Sequence, residues 1–180
     1  PVGVFDESIQ GAPYQHMKLI HYPGREAGGS GQGVGAHKDP GYLTLVMQDH
    51  HSGLEVETAS GWISAQPLSG ALVVNIGELL ELASNGYLKA TLHRVQSPPP
   101  GVSRLSCAFF MAARLDATVP LLTLSPALAA QAQGPESDPT NPLFHQVGEN
   151  VLKGRLRSHP DVAARHYAQQ HRARQEPIPA

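Results

Sequence analysis

The chain has 180 residues, 41% hydrophobic and 16% charged, a globular composition that is long enough to bury a core without disulfides or a structural metal. Its formal net charge is -2, and it has neither a lysine and arginine run nor an apolar stretch as long as a membrane span. We therefore expect a small-molecule partner rather than nucleic acid or a membrane. The single cysteine, Cys107, excludes an internal disulfide framework and a multi-cysteine zinc site and is typical of the cytoplasm, the location that we expect.

The first part of the chain predicts short strands joined by turns. Residues 17–22 alternate loosely in polarity and end at Pro23-Gly24, which predicts a strand followed by a turn. Residues 25–35 contain five glycines and predict a loop. Three β-rich stretches follow, and the last two flank a hairpin turn. They cover residues 43–48, 54–57 and 62–65.

The middle of the chain predicts a buried strand, a short helix and two more strands. Residues 71–76 are a continuous apolar run, and residues 78–84 are helix-like up to Asn85-Gly86, a natural left-handed cap. Residues 88–95 and 104–111 predict strands on either side of a proline-rich loop. Many short strands at near-regular spacing favour a β-sandwich or a jelly roll.

The last part of the chain predicts helices after an irregular segment. Residues 148–157 place apolar side chains on one face, and a second helix begins at Asp161. We therefore expect one mainly β domain over residues 1–180, made of four successive segments. These are a lead-in at 1–16, a jelly-roll core at 17–115, an irregular segment at 116–147 and C-terminal helices at 148–174.

A histidine and an aspartate, His37 and Asp39, lie two positions apart before an apolar, β-branched run. In an extended segment such side chains point to the same side, with Lys38 between them facing away. His93, on a later predicted strand, is a third candidate ligand. Two histidines and one carboxylate on one face form the facial triad of non-haem Fe(II) oxygenases, although zinc or manganese is equally compatible with these ligands.

Arg104 and Ser106 also lie two positions apart, within an otherwise apolar predicted strand. A buried arginine needs an anionic partner, because an unpaired charge in a core costs several kcal/mol. A ligand carboxylate held bidentately is the natural partner of such a guanidinium, and an internal ion pair is the alternative.

These residues and their surroundings resemble the C-terminal core of the isopenicillin N synthase-like family of Fe(II), 2-oxoglutarate-dependent oxygenases, from about Met17 to Leu115. The motifs occur in the family's order and approximate spacing. They are His37-Lys38-Asp39, Leu43-Thr44-Leu45, Gln48-Asp49, Gly53-Leu54, Val74-Asn75-Ile76-Gly77, Ser84-Asn85-Gly86, His93-Arg94-Val95 and Arg104-Leu105-Ser106.

The resemblance implies a double-stranded β-helix, that is, a distorted, cupin-like jelly roll with a short helix in the core region and helices at the C-terminus. It also implies that His37, Asp39 and His93 bind Fe(II) as the catalytic centre. The cofactors implied are Fe(II), 2-oxoglutarate as co-substrate, and dioxygen.

The same resemblance assigns the residues that hold the co-substrate. Arg104 and Ser106 match the family's anchor for the distal carboxylate of 2-oxoglutarate, and Tyr22 matches a tyrosine that adds a hydroxyl to this anchor. Plant members commonly carry an asparagine two residues before this tyrosine, where the present chain has Ile20. This departure weakens the case for one further polar contact but leaves the anchor intact.

The implied activity is the oxidative decarboxylation of 2-oxoglutarate to succinate and carbon dioxide, coupled to hydroxylation or a related oxidation of a small organic substrate. Two alternatives stay open: an Fe(II) oxidase that does not use 2-oxoglutarate, like isopenicillin N synthase or the aminocyclopropane oxidases, and a metal-binding jelly-roll domain without turnover. Family members normally have an N-terminal region that helps to enclose the active site. Residues 1–16 cannot supply it, so we expect it to be absent.

Overall fold

The structure, a computed structural model, describes residues 2–25, 31–136, 138–139, 141–158 and 160–167. Its described strands are β1 (His16–Tyr22), β2 (Gln32–His37), β3 (Leu43–Gln48), β4 (Leu54–Thr58), β5 (Gly61–Ser64), β6 (Val73–Ile76), β7 (His93–Gln96) and β8 (Arg104–Met111). Its described helices are α1 (Asp6–Ile9), α2 (Glu78–Ala83), α3 (Pro126–Ala129), α4 (Val147–Ser158) and α5 (Pro160–His166).

The strands form two four-stranded antiparallel sheets. Sheet I has the strand order β1-β8-β3-β6, and sheet II has the order β2-β7-β4-β5. Along the chain, successive strands alternate between the sheets except at the hairpin of β4 and β5. The expected mainly β jelly roll, with a short helix in the core region and helices at the C-terminus, is confirmed.

A small hydrophobic cluster lies between the two sheets. Tyr22 from sheet I packs with Leu54 and Val95 from sheet II, and all three are buried. Because β1 and β8 are antiparallel, Tyr22 lies directly opposite Arg104, whose side chain is buried on the same side of sheet I. Polar side chains of β8 can therefore reach the interior between the sheets.

The other face of sheet I is also apolar. Its side chains include Met17, Leu19, Met47, Val74 and Leu105, and each of these five is about half or more exposed. A half-buried strand normally places apolar residues on its buried face and polar residues on its exposed face. In sheet I this order is partly reversed, because Thr44, Asn75 and Arg104 are buried on the inner face.

Two strand predictions need correction. The glycine-rich stretch expected to be a loop up to residue 35 contains β2, which begins at Gln32, while residues 26–30 lie outside the described part of the chain. Pairing with β7 imposes the extended conformation there despite the low strand propensity of glycine. The strand expected at 88–95 begins only at His93, because α2 and its C-cap residue bind the preceding backbone. Glu81 Oε2 accepts from the N–H of Ala90 at 2.8 Å, and Ser84 Oγ accepts from the N–H of Leu88 at 3.0 Å.

The C-terminal helices agree with the expectation as far as the structure describes them. α4 begins at Val147 and α5 ends at His166, so the part of the second predicted helix beyond residue 167 lies outside the described residues. The segment expected to be irregular contains the four-residue helix α3. None of the described helices combines the length and the apolar character needed to cross a bilayer.

A fully buried carboxylate, that of Glu81 on α2, joins three segments of the chain. It accepts hydrogen bonds from the backbone N–H groups of Ala90 and Glu136, both at 2.8 Å. The Nζ atoms of Lys38 and Lys89 lie 3.6 Å and 3.8 Å from its oxygens. Lys38 thus points away from its neighbouring candidate ligands, as expected, and its replacement by alanine should affect folding stability rather than the metal.

We expect Glu81→Ala to lower the free energy of unfolding by about 3 kcal/mol, because two buried N–H groups lose their acceptor and two amines lose a carboxylate. Urea unfolding measures this change. Glu57→Ala is the matched control, because Glu57 is exposed on β4, and it should stay within about 0.5 kcal/mol of the wild type. Equal stability of the two variants would contradict this role of Glu81.

Candidate metal centre

Two histidines and an aspartate meet at one end of sheet II. His37 is the last residue of β2, His93 is the first residue of β7, and the two lie opposite each other in the antiparallel pair. Asp39 lies two residues beyond the end of β2, whereas we expected one extended segment through both residues. Its side chain nevertheless lies beside both imidazoles. Its Oδ1 is 3.6 Å from Nε2 of His37, and its Oδ2 is 3.6 Å from Nε2 of His93.

Backbone carbonyls determine which imidazole nitrogen is available to a metal. Nδ1 of His37 lies 2.8 Å from the carbonyl oxygen of Gly35, and Nδ1 of His93 lies 2.9 Å from that of Thr91. A carbonyl oxygen only accepts, so each Nδ1 carries the proton, and in the neutral ring Nε2 keeps its lone pair. Both lone pairs are therefore on the atoms that face Asp39, which is the arrangement that metal-binding histidines adopt.

The backbone around Asp39 is held by the first turn of α2. The N–H of Glu78 donates to the carbonyl of Asp39 at 2.8 Å, and the N–H of Leu79 donates to that of Gly41 at 3.0 Å. A Cβ at Gly77 would lie 2.1 Å from the carbonyl oxygen of Gly41, so no larger residue fits there. The close approach of two backbones thus explains the glycine of the Val-Asn-Ile-Gly motif.

The charges of the cluster favour an ionised carboxylate and a neutral histidine. Burial would raise the pKa of Asp39, but the contact with His37 and the charge of His93 outweigh it, so this pKa lies below its usual value. Burial lowers the pKa of His93 despite the nearby carboxylate. Burial also opposes protonation of His37, but Asp39 and the Gly35 carbonyl raise its pKa above the usual value.

This donor set fits a divalent metal ion. One ligand atom from each of His37, Asp39 and His93 lies within 4.8 Å of the others. Neutral imidazole and carboxylate suit Fe(II) and other first-row divalent ions, and three ligands leave coordination positions open. The amide Nδ2 of Asn75 lies 3.5 Å from Oδ2 of Asp39, a contact that the sequence did not indicate.

A second polar group, Arg104, is buried in the same interior with 1% of its surface exposed. Its Nη2 donates to Oε1 of Gln48 at 2.7 Å, and its Nε donates to the carbonyl of His51 at 3.2 Å. Its Nη1 is buried and has no hydrogen-bond partner among the described residues. The ion pairs within the described part of the chain do not include Arg104, so the internal ion pair left open by the sequence is not formed there.

The other two candidate anchor residues lie next to this guanidinium. Ser106 is buried on the same face of β8, two residues from Arg104. Tyr22 is the cross-strand neighbour of Arg104, and its ring centroid lies 5.1 Å from Cζ of the guanidinium. Ile20 lies opposite Ser106, where the plant members commonly carry asparagine. Arg104, Ser106 and Tyr22 thus face one region between the sheets.

Sequence reasoning missed the residues that orient Arg104. Gln48 and Asp49 belong to a motif of the resemblance, but no role was assigned to them. The Asp49 carboxylate accepts from the N–H of Leu105 at 2.6 Å and from the N–H of His51 at 2.8 Å. It therefore shapes the turn that presents the His51 carbonyl to Arg104.

A jelly roll that combines a two-histidine, one-carboxylate cluster with a buried arginine, itself without an ion pair among the described residues, is typical of one class of metal-dependent β proteins. The family model of the 2OG-Fe(II) oxygenase superfamily matches residues 13–113. The chain therefore belongs to the 2OG-Fe(II) oxygenase superfamily, which uses Fe(II), 2-oxoglutarate and dioxygen and acts on small-molecule substrates.

Sequence similarity to individual proteins supports this membership. The chain is 34% identical, over 90% of its length, to a 2-oxoglutarate-dependent dioxygenase of Dothideomycetidae sp. (strain 11243), and 44% identical, over 64%, to a homoarginine-6-hydroxylase of Arabidopsis thaliana. It spans only 49% and 36% of those two proteins.

Solved structures of two further proteins are similar to the fold. A full-length Neurospora crassa protein in complex with alpha-KG is 27% identical with a TM-score of 0.66, and the match covers 86% of this chain and 47% of that one. The rice dioxygenase for auxin oxidation is 28% identical with a TM-score of 0.61, and the match covers 80% and 47%. The fold and the family thus agree.

The Asp49 turn generates a prediction about pH. Burial would raise the pKa of Asp49, but hydrogen bonds from Leu105 and His51 lower it below 3.8, so its contribution to stability is present above that pH and is lost as the pH falls through the folded-state pKa. We expect Asp49→Asn to destabilise the protein by about 1 kcal/mol at pH 7, and by progressively less below pH 3.8. Urea unfolding over this range measures the difference, and Glu57→Gln on exposed β4 is the control. A difference that does not change with pH would contradict the prediction.

Proposed function

We propose that this chain is the catalytic core of an Fe(II)/2-oxoglutarate-dependent dioxygenase. It would couple the oxidative decarboxylation of 2-oxoglutarate, giving succinate and carbon dioxide, to hydroxylation or a related oxidation of a small organic substrate. One observation carries this proposal: the buried guanidinium of Arg104 has an unpartnered Nη1 and no ion pair within the described residues, although a complete two-histidine, one-carboxylate cluster lies in the same interior.

In this proposal His37, Asp39 and His93 hold the Fe(II) ion. When bound, the ion supplies the redox chemistry that activates dioxygen for oxidation of the substrate. The contribution of the protein is orientation. The carbonyls of Gly35 and Thr91 keep both Nε2 lone pairs toward the ion, and the lowered pKa of Asp39 keeps its carboxylate charged.

Arg104 receives the distal carboxylate of 2-oxoglutarate, with the hydroxyls of Ser106 and Tyr22 as further donors. A guanidinium and a carboxylate form two parallel hydrogen bonds, which would give Nη1 the partner that it lacks. Gln48 and the His51 carbonyl hold the other side of the guanidinium, so it is oriented before the co-substrate arrives. This pairing would also balance a charge whose burial is otherwise costly.

The proposal treats residues 1–180 as one oxygenase core domain in the cytoplasm, with the jelly-roll core at 17–115. In support, β1 to β8 lie between His16 and Met111, and the metal cluster and Arg104 both belong to these strands and the turns between them. The substrate is a small molecule, in keeping with the superfamily.

Removal of either histidine ligand should abolish tight metal binding. Loss of a residue that only hydrogen-bonds to a metal ligand weakens metal binding by about 10–100-fold. We expect His37→Ala and His93→Ala, which remove a ligand itself, each to weaken Fe(II) binding by more than this. Anaerobic calorimetric titration measures the affinity. His50→Ala is the matched control, because His50 is exposed and outside the cluster. The same Fe(II) affinity in all three variants and the wild type would remove the site.

Arg104→Gln should weaken 2-oxoglutarate binding by at least about tenfold, because a charge-assisted hydrogen bond is lost, while Fe(II) affinity stays unchanged. Anaerobic titration of the Fe(II)-loaded protein separates the two quantities, and Arg165→Gln, at an exposed position of α5, is the control. Succinate formation by the wild type in air, with candidate substrates screened, tests turnover. A wild type that neither binds nor consumes 2-oxoglutarate would refute the proposed function.

A further inference from the structure

Three side chains that the proposed chemistry does not use lie together where β1 begins and β8 ends, at the opposite end of this strand pair from Tyr22 and Arg104. His16 and Lys18 share the inner face of β1 with Tyr22, and Phe110 lies opposite His16 on β8. The imidazole of His16 stacks on the ring of Phe110, with centroids 4.6 Å apart and an interplanar angle of 9°. Nζ of Lys18 lies 5.2 Å from the centroid of the same ring.

A second cation reaches this group from α4. Nη2 of Arg155 donates to the hydroxyl of Tyr14 at 3.1 Å, and the Tyr14 ring lies 5.4 Å from that of His16. Burial lowers the pKa of His16, and the positive charges of Lys18 and Arg155 lower it further. Two cations from different elements thus surround one neutral imidazole.

The positive charge of this group is not balanced by the described part of the protein. Neither Lys18 nor Arg155 takes part in an ion pair with a carboxylate of the described residues. Nδ1 of His16 is buried and finds no hydrogen-bond partner in the part of the chain that the structure describes. A bound anion would supply the counter-charge that these two cations lack among the described residues, and an acceptor within reach of the buried imidazole.

The group and the candidate co-substrate anchor face the same interior. His16, Lys18 and Tyr22 lie on one face of β1, and Tyr22 is the cross-strand neighbour of Arg104. Along β1, His16 is six residues from Tyr22, the neighbour of Arg104, which is about 20 Å at 3.3 Å per residue. A single 2-oxoglutarate molecule cannot occupy both ends of this strand.

We propose that Lys18 and Arg155, with His16 between them, bind the carboxylate of the substrate, which is therefore a small organic acid. This inference rests on the proposed function, because it assumes that the oxidised part of the molecule lies at the His37, Asp39 and His93 cluster. A lysine and an arginine that approach from two elements fit a carboxylate through charge-assisted hydrogen bonds. The rings of Phe110 and Tyr14 supply apolar contact for the rest of the molecule.

The test compares an acid with its neutral counterpart of the same shape, 3-phenylpropanoate with 3-phenylpropanamide. Each is titrated calorimetrically into the Fe(II)-loaded protein without dioxygen and with saturating 2-oxoglutarate, so that the acid cannot occupy Arg104. We expect the acid to bind at least about tenfold more tightly than the amide. Lys18→Met and Arg155→Gln should each weaken acid binding about tenfold and leave amide binding unchanged.

Two control variants make the same change of charge at positions outside this group. Lys89→Met and Arg165→Gln each remove a cation that lies outside this group, and both should retain the preference for the acid. Equal affinity for acid and amide in the wild type, no acid binding at millimolar concentration, or an unchanged preference in the Lys18→Met, Arg155→Gln double variant would each overturn the inference.

The two proposals fail in different ways. Loss of the acid preference with intact Fe(II) and 2-oxoglutarate binding contradicts only the substrate inference. If 2-oxoglutarate does not bind, the proposed function fails, and the acid and amide titrations are then carried out on Arg104→Gln protein, where only the group around Lys18 can hold the carboxylate.

Discussion

The arrangement of His37, Asp39 and His93 depends on the close contact between the Gly41 carbonyl and Gly77. This contact brings the first turn of α2 against the segment after β2, where N–H groups of α2 bind the carbonyls of Asp39 and Gly41. Asp39 is thereby held beside His37 and His93 without being part of a strand. A Cβ at Gly77 would separate the two segments, and the carboxylate would move away from the imidazoles.

Buried charges distinguish the parts of the molecule that serve the fold from those that serve a ligand. Glu81 is fully buried, but two backbone N–H groups and two lysines satisfy it, so its charge is used entirely within the protein. Arg104 is equally buried and keeps an unpartnered nitrogen. Because burial of a charge without an ion pair is costly, this arrangement supports the proposal that Arg104 binds the carboxylate of 2-oxoglutarate.

Local sequence patterns predicted those elements whose conformation is decided locally. β3 and β8 have the predicted ends, and the turn at Asn85-Gly86 has the left-handed backbone expected of a cap, with φ values of 50° and 73°. β2 was missed because glycine carries no strand signal and pairing with β7 alone makes it extended. The start of β7 was misplaced because contacts from α2 replace strand pairing there.

The sequence by itself determined the class of fold, the family and the residue types of the metal cluster, since spacing and side-chain chemistry are properties of the chain alone. Only the tertiary structure decided which atoms face each other. The Nε2 lone pairs point at Asp39 because of carbonyls in the β2 and β7 backbones, and Gln48 orients Arg104 from a neighbouring strand. The grouping of Lys18 with Arg155 likewise depends on α4 packing near β1, a contact between positions far apart in the chain that no local pattern encodes.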